Sequence, residues 1–231
     1  DPPHIGADEF TPTGDNASLA KLIYPEPPFT PGTYDIKASI LNLSFSALKQ
    51  VDIEWEVNGT AQTTYNWSDS LNTNESDTVT LGSFTFQSGQ DYDIKAWTSN
   101  PNGDTDINPK NDTASVSKLF AALEGVYTIG GSSPNFDSLY KAADFLEKGG
   151  ASDTVWFKIR PGTYQEQVSI GSYPGQSCNL PVFFESESKD TADVTISYAA
   201  TSNDNYTIQL DGASGLVFRH LTLEADDNNR G

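Results

Sequence analysis

Residues 154–170 read TVWFKIRPGTYQEQVSI, two short apolar strands on either side of a Pro-Gly turn. The same grammar returns at 180–198 (LPVFFESESKDTADVTISY) and at 205–223 (NYTIQLDGASGLVFRHLTL). A recurrence of about 25 residues is the signature of stacked coils, in which each unit buries its inward face against the next.

Working outward, Phe136, Leu139, Ala142, Ala143 and Leu146 stand at 3-4 spacing just upstream. That stripe predicts an amphipathic helix, with Ser133 or Asn135 as candidate N-cap and Gly149-Gly150 as terminator. Before it the period changes to two. TYDIKASILNL (33–43), QVDIEWEV (50–57), DTVTLGSFTF (77–86) and DYDIKAWT (91–98) alternate apolar and polar residues, as half-buried strands do. Asn58-Gly59 permits the type I′ turn of a hairpin, with a return strand over 60–67 and a polar tip at 68–76. A short strand near 19–24 and a last one near 113–119 complete an antiparallel β-sandwich. Seven prolines in residues 1–32 make that start extended or looped. The predicted organisation is an extended segment 1–19, an Ig-like β-sandwich 20–123, and a capping helix with the first coils of a parallel stack over 124–231. The expected fold class is all-β.

Composition narrows the function. The 231 residues carry 13 basic and 32 acidic side chains, a formal charge of −19, which opposes nucleic acid and anionic membrane surfaces. Hydrophobic residues at 36% and aromatics at 11% give burial capacity that a disordered acidic chain lacks. No run of 18 apolar residues exists to insert in a membrane. Cys178 is the single cysteine, so an internal disulfide or a multi-cysteine metal site is excluded. The absence of methionine points to cleavage before Asp1. Abundant Ser, Thr, Asn, Asp and Gly suit a secreted or cell-surface β protein.

The residues from Tyr127 to Leu223 resemble the N-terminal part of the right-handed parallel β-helix shared by pectin lyases and pectin methylesterases. The resemblance rests on FDSLYKAADFL (136–146), FKIRPGTYQEQVSI (157–170), VTISY (194–198) and YTIQLDGASGLVFRHLTLEA (206–225). It implies that the helix plugs the end of the stack. Residues 20–117 resemble a CARDB-type Ig-like domain, through GTYDIKASILN (32–42), VDIEWEVNG (51–59) and DYDIKAWTSNPNGDTDINPKNDTAS (91–115). The pairing is similar to large surface proteins of the Bacteroidota exported by type IX secretion. The catalytic aspartates, arginine and glutamines of the methylesterases belong to coils after the equivalent of this chain's last strand, so the resemblance implies no catalysis here.

Few residues suggest chemistry. Asp211, Arg219 and His220 lie close in sequence, but Asp211-Gly212 is an ordinary turn and Arg219 and His220 alternate across a strand. His4 and His220 are too far apart, and too alone, for zinc. Asp104, Asp106, Asn108 and Asp112 offer the hard oxygens that calcium prefers, although Asn, Asp and Gly also make turns without an ion. Trp67, with Tyr65, is the candidate stacking platform for a sugar ring, the alternative being packing on the sheet; Trp55 is expected in the core. The expected role is a structural or adhesive segment, possessing no cofactor unless calcium. Its expected partners are surface glycans and, at the open end of the stack, further chain or a neighbouring subunit. The alternatives are a fragment of a polysaccharide-active enzyme and a carbohydrate-binding module.

Overall fold

A computed structural model describes residues 14–199 and 205–225, so the expectations for residues 1–13, His4 among them, lie outside the described residues. The chain divides into two compact units.

The first unit holds β1 (Ala17–Ile23), β2 (Gly32–Asn42), β3 (Leu48–Val57), β4 (Thr60–Ala61), β5 (Tyr65–Leu71), β6 (Ser76–Phe86), β7 (Asp91–Ser99) and β8 (Thr113–Phe120). One sheet runs β1-β2-β6; the other runs β4-β3-β7-β8, with β5 also paired to β3. The pairs β1/β2, β3/β4, β3/β5 and β3/β7 are antiparallel. Period-two alternation sends Ile36, Ala38 and Ile40 of β2, Val51, Ile53, Trp55 and Val57 of β3, and Ile94 and Ala96 of β7 into the core. The sheets meet closely: a Cβ placed on Gly82 of β6 would stand 2.9 Å from the Trp55 indole of β3. This is the expected sandwich.

The hairpin turn is as read, with Asn58 and Gly59 both at positive φ, 49° and 72°. The return strand is not continuous over 60–67. Thr63 gives its carbonyl to the Trp55 indole N–H at 3.1 Å instead of to the ladder, and pairing stops after Ala61 and resumes at Tyr65. The polar tip is also shorter than expected. β5 extends to buried Leu71, and the Glu75 carboxylate closes the turn by accepting from Asn72 N–H at 2.7 Å.

The second unit gathers Leu119–Gly231 with the short segments Glu26–Gly32 and Thr85–Asp91. It contains β9 (Leu123–Ile129), α1 (Leu139–Gly149), β10 (Ala151–Ile159), β11 (Gly162–Gln165), β12 (Val168–Gly171), β13 (Val182–Ser186), β14 (Val194–Tyr198), β15 (Ile208–Asp211), β16 (Leu216–Arg219) and β17 (Thr222–Ala225). Three parallel sheets result, β9-β10-β13-β16, β11-β14-β17 and β12-β15, and from β10 onward the chain visits them in fixed rotation. Facing positions are 27 residues apart from Val155 to Val182 but 34 apart from Val182 to Leu216. The period is longer and less regular than expected because polar turns such as 187–193 ride between strands. The first coil holds three strands rather than two. β9 was not anticipated, since Gly125 and exposed Val126 interrupt its alternation.

Inside the coils, like residues stack in register. Tyr127, Phe157, Phe184 and Phe218 form one ladder, with successive ring centroids 5.9, 4.6 and 5.0 Å apart. Such contacts add about 0.5–1.5 kcal/mol per pair beyond area burial. Burial falls at the last coil. Ile170 and Ile196 are 0% exposed, yet the residues paired with them, Leu210 and Leu223, are 50% and 51% exposed.

The helix covers the first coil through buried Leu139, Ala142, Ala143 and Leu146. It starts later than its apolar stripe. Phe136 bridges to β9 through Phe136 N–H to the Thr128 carbonyl at 3.0 Å, and Asn135 Oδ1 accepts from Thr128 N–H at 2.9 Å. Ser133 sits at φ 48°. The N-cap is therefore Ser138, whose Oγ accepts from Lys141 N–H at 3.2 Å, and Gly150 at φ 75° ends the helix as expected.

Candidate functional site

The loop between β7 and β8 folds back on the start of β1. A 3-10 turn at Pro101–Gly103 is held by Asn102, whose Nδ2 donates to Asp15 Oδ1 at 2.9 Å and whose Oδ1 accepts from Lys49 N–H at 2.7 Å. Asp104 follows this turn and is exposed. Asp106 is tied in by both oxygens, accepting from Ala17 N–H at 2.8 Å and Asn108 N–H at 2.7 Å. The Asn111 carbonyl accepts from Leu19 N–H at 3.2 Å and Ser18 Oγ at 2.9 Å.

These ties bring three of the four predicted ligands, Asp106, Asn108 and Asp112, into one cluster with Asn16 and Asn111. Asp104 is the exception. Asp112 is 7% exposed, and burial, then the nearby Asp106 charge, pushes its carboxyl up from 3.8 to about 6. The side-chain amide of Asn111 ties the cluster together, its nitrogen donating to the Asn108 carbonyl at 2.7 Å, Asp112 Oδ1 at 2.9 Å and Asn16 Oδ1 at 3.2 Å. Among the described residues no three His, Cys, Asp or Glu side chains converge as a metal site, so amides and carbonyls must supply part of any shell. Asn16 and Asn111 were missed by sequence reasoning. Their contribution depends on the chain returning across the sandwich, which spacing within 100–112 does not encode.

The proposed sugar platform is corrected. Register pairs Trp67 with Val51 and Tyr65 with Ile53, so both rings take the inward side of β5, and it is Asn66, opposite Asp52, that faces out. Trp67 is 4% exposed, and its indole N–H donates to Asp77 Oδ2 at 2.9 Å. It presents no free face for a pyranose. The adjoining hollow of about 460 Å³ is lined mainly by polar groups, Gln50, Asp52, Asn66, Ser68 and Asn100, with Trp67 the one aromatic residue among them. Trp55 is core, as expected, at 3% exposure.

A second cluster lies on the outward side of the β9-β10-β13-β16 sheet. Trp156 and Phe183 face each other across adjacent coils, 4.0 Å apart and within 10° of parallel. Arg219 lies 5.1 and 4.7 Å from these two ring centroids, and Lys158 Nζ lies 4.9 Å from that of Trp156. Between the two cations sits Glu185, fully buried, accepting from Lys158 Nζ and Arg219 Nε. Burial alone would raise the Glu185 pKa, but hydrogen bonds and charge from Lys158 and Arg219 hold it below the ordinary 4.5. Arg219 is thus engaged away from Asp211 and His220. His220 is exposed at φ 54° just after β16, and Asp211 ends β15, so Asp211 and Arg219 stand in different sheets.

Glu166, the acidic residue of the PGTYQE string, has a local task. Its carboxylate accepts from Leu139 N–H at 3.3 Å and Tyr140 N–H at 3.0 Å, satisfying the free donors at the start of α1. Tyr164 of the same string donates to the Arg160 carbonyl at 2.8 Å and lies against Gly130.

No family model and no curated protein matches the sequence. Among solved structures, the chain is similar to the CARDB domain of a Pyrococcus furiosus protein crystallised in complex with di-metal ions. The identity is 20%, over 48% of this chain and 96% of that one, with a TM-score of 0.37. The solution structure of that domain gives 20% identity, coverage of 48% and 95%, and a TM-score of 0.35. A domain of a Methanosarcina acetivorans protein named for the cell surface gives 19% identity, coverage of 46% and 92%, and a TM-score of 0.37.

Proposed function

We propose that this chain is a structural or adhesive segment of a large secreted or cell-surface protein: a CARDB-type Ig-like domain followed by the first coils of a right-handed parallel β-helix of the pectin-lyase kind. The observation that carries the proposal is the rotation of the chain through three parallel sheets, ending on a coil whose inward leucines, Leu210 and Leu223, are half exposed. Each earlier coil buries its inward side chains on the next. The last coil is the seat for one more, contributed by the same polypeptide or a neighbouring subunit. The setting is the Bacteroidota cell surface reached by type IX export.

Catalysis is assigned no place in this chain, a reading supported by the separation of Asp211, Arg219 and His220. The open coil equally suits a longer enzyme whose active coils lie further along. The two readings part in one experiment, in which the native polypeptide is fractionated with its cells and incubated with pectin and other uronic-acid polymers. Surface retention without release of soluble sugar supports the structural role. Turnover of the polymer replaces it with the enzyme reading.

A further inference from the structure

We infer that the outward face of the β9-β10-β13-β16 sheet docks an acidic segment of a protein partner, one that carries carboxylates beside apolar side chains. Parallel register lays two rows across four coils on this face. Val126, Trp156, Phe183 and Val217 align in one, and Thr128, Lys158, Glu185 and Arg219 align in the other, two positions along each strand. Neighbouring strands lie about 4.8 Å apart, so each row spans about 14 Å, the reach of roughly four extended residues. A hollow of about 240 Å³ opens on this face, lined by Val126, Trp156, Lys158, Glu185, Lys189 and Arg219.

Charge selects the occupant first. The hollow gathers three cations against a single carboxylate, in a chain of 13 basic and 32 acidic residues. Glu185 is engaged by Lys158 and Arg219, whereas exposed Lys189 has no ion-pair partner among the described residues. The hollow is therefore locally positive and attracts carboxylates. Buried Glu185 also fixes the two cations before anything binds, which lowers the ordering cost of association. Shape selects next. Trp156 and Phe183 are stacked 4.0 Å apart, and Arg219 and Lys158 lie 4.7 to 5.1 Å from the ring centroids. The stacked faces are closed to a sugar ring. The strip of half-buried rings and valines, with Val126 62% exposed, suits aliphatic or aromatic side chains instead. Tryptophan and arginine at the centre of an apolar strip are the composition of an interface hot spot. The fold uses the ring stack and the Glu185 pairs, and leaves the Lys189 ammonium and the Val126 side chain free for contact.

The full chain, titrated by calorimetry and tryptophan fluorescence, tests this with a short end-blocked peptide of alternating glutamate and leucine. Parallel arms use the lysine–leucine counterpart and an oligogalacturonate. Saturable binding is expected for the glutamate–leucine peptide, and no binding for its lysine counterpart. Lys189→Glu and Val126→Asp alter exposed side chains outside the core, so Tm should hold while each weakens the peptide at least about tenfold. Absence of saturable binding, equal affinity for the lysine peptide, or unchanged affinity in either variant would overturn the docking surface. Tighter binding of the oligogalacturonate would overturn it too, by making the face a saccharide site. This lateral face is not the open end of the stack, and its failure would leave the reading of the last coil standing.

Discussion

Glu185 is a fully buried carboxylate whose two partners come from neighbouring coils, Lys158 before it and Arg219 after it. Removing it with Glu185→Ala leaves two cations facing each other and should cost about 3–5 kcal/mol in urea unfolding at pH 7. Its depressed pKa sets the pH dependence. A carboxylate that binds protons more weakly when folded gives its full stabilisation above the ordinary 4.5, and loses it as pH falls through the folded value. The stability difference between the native chain and Glu185→Gln should therefore be constant from pH 7 to 5 and shrink below 4.5. A difference that grows on acidification would contradict this sign. Trp67 makes a second case at this scale. Trp67→Ala should destabilise by about 3–5 kcal/mol, because the ring fills core volume, so any loss of glycan binding in that variant would track unfolding rather than a lost stacking face.

At the scale of elements, α1 depends on a residue outside itself. Glu166→Ala frees the Leu139 and Tyr140 donors and should cost about 1 kcal/mol, with faster hydrogen exchange confined to the first turn of the helix. The turn before the helix is fixed by Gly130, at φ 71°, where an added Cβ would stand 2.2 Å from Tyr164 Oη. Gly130→Ala should cost about 1–3 kcal/mol, and part of that loss should be recovered in a Tyr164→Phe background, which removes the clashing oxygen. The helix and most strands were legible because their apolar periods are unbroken, as in Val51, Ile53, Trp55 and Val57. Its start was not legible. Phe136 fits the helical stripe equally well as a residue bridged to β9, and only the Asn135–Thr128 hydrogen bonds decide between them. β9 was hidden for the related reason that Val126 faces solvent where alternation calls for a polar side chain.

Over the whole molecule, the sequence announces two kinds of periodicity, and two units follow from them. What it could not announce is which residues meet across coils. Trp156 on Phe183 and Glu185 between Lys158 and Arg219 arise only from parallel register at separations of 27 and 34 residues, and the ladder from Tyr127 to Phe218 from steps of 30, 27 and 34. The amide cluster has the same character, since Asn16 Oδ1 accepts from the Asn111 side chain across the sandwich. Stacked coils are stabilised mainly by their neighbours, so stability should fall toward a coil with a neighbour on one side only. Hydrogen exchange of the dilute chain, resolved by segment, tests that claim most directly. The account predicts strong protection in β10, β13 and α1, intermediate protection in β14, and the weakest in β15, β16 and β17. Equal protection in the last coil and in β10 and β13, at a dilution where the chain is monomeric, would contradict a stack whose last strands are covered on one side only.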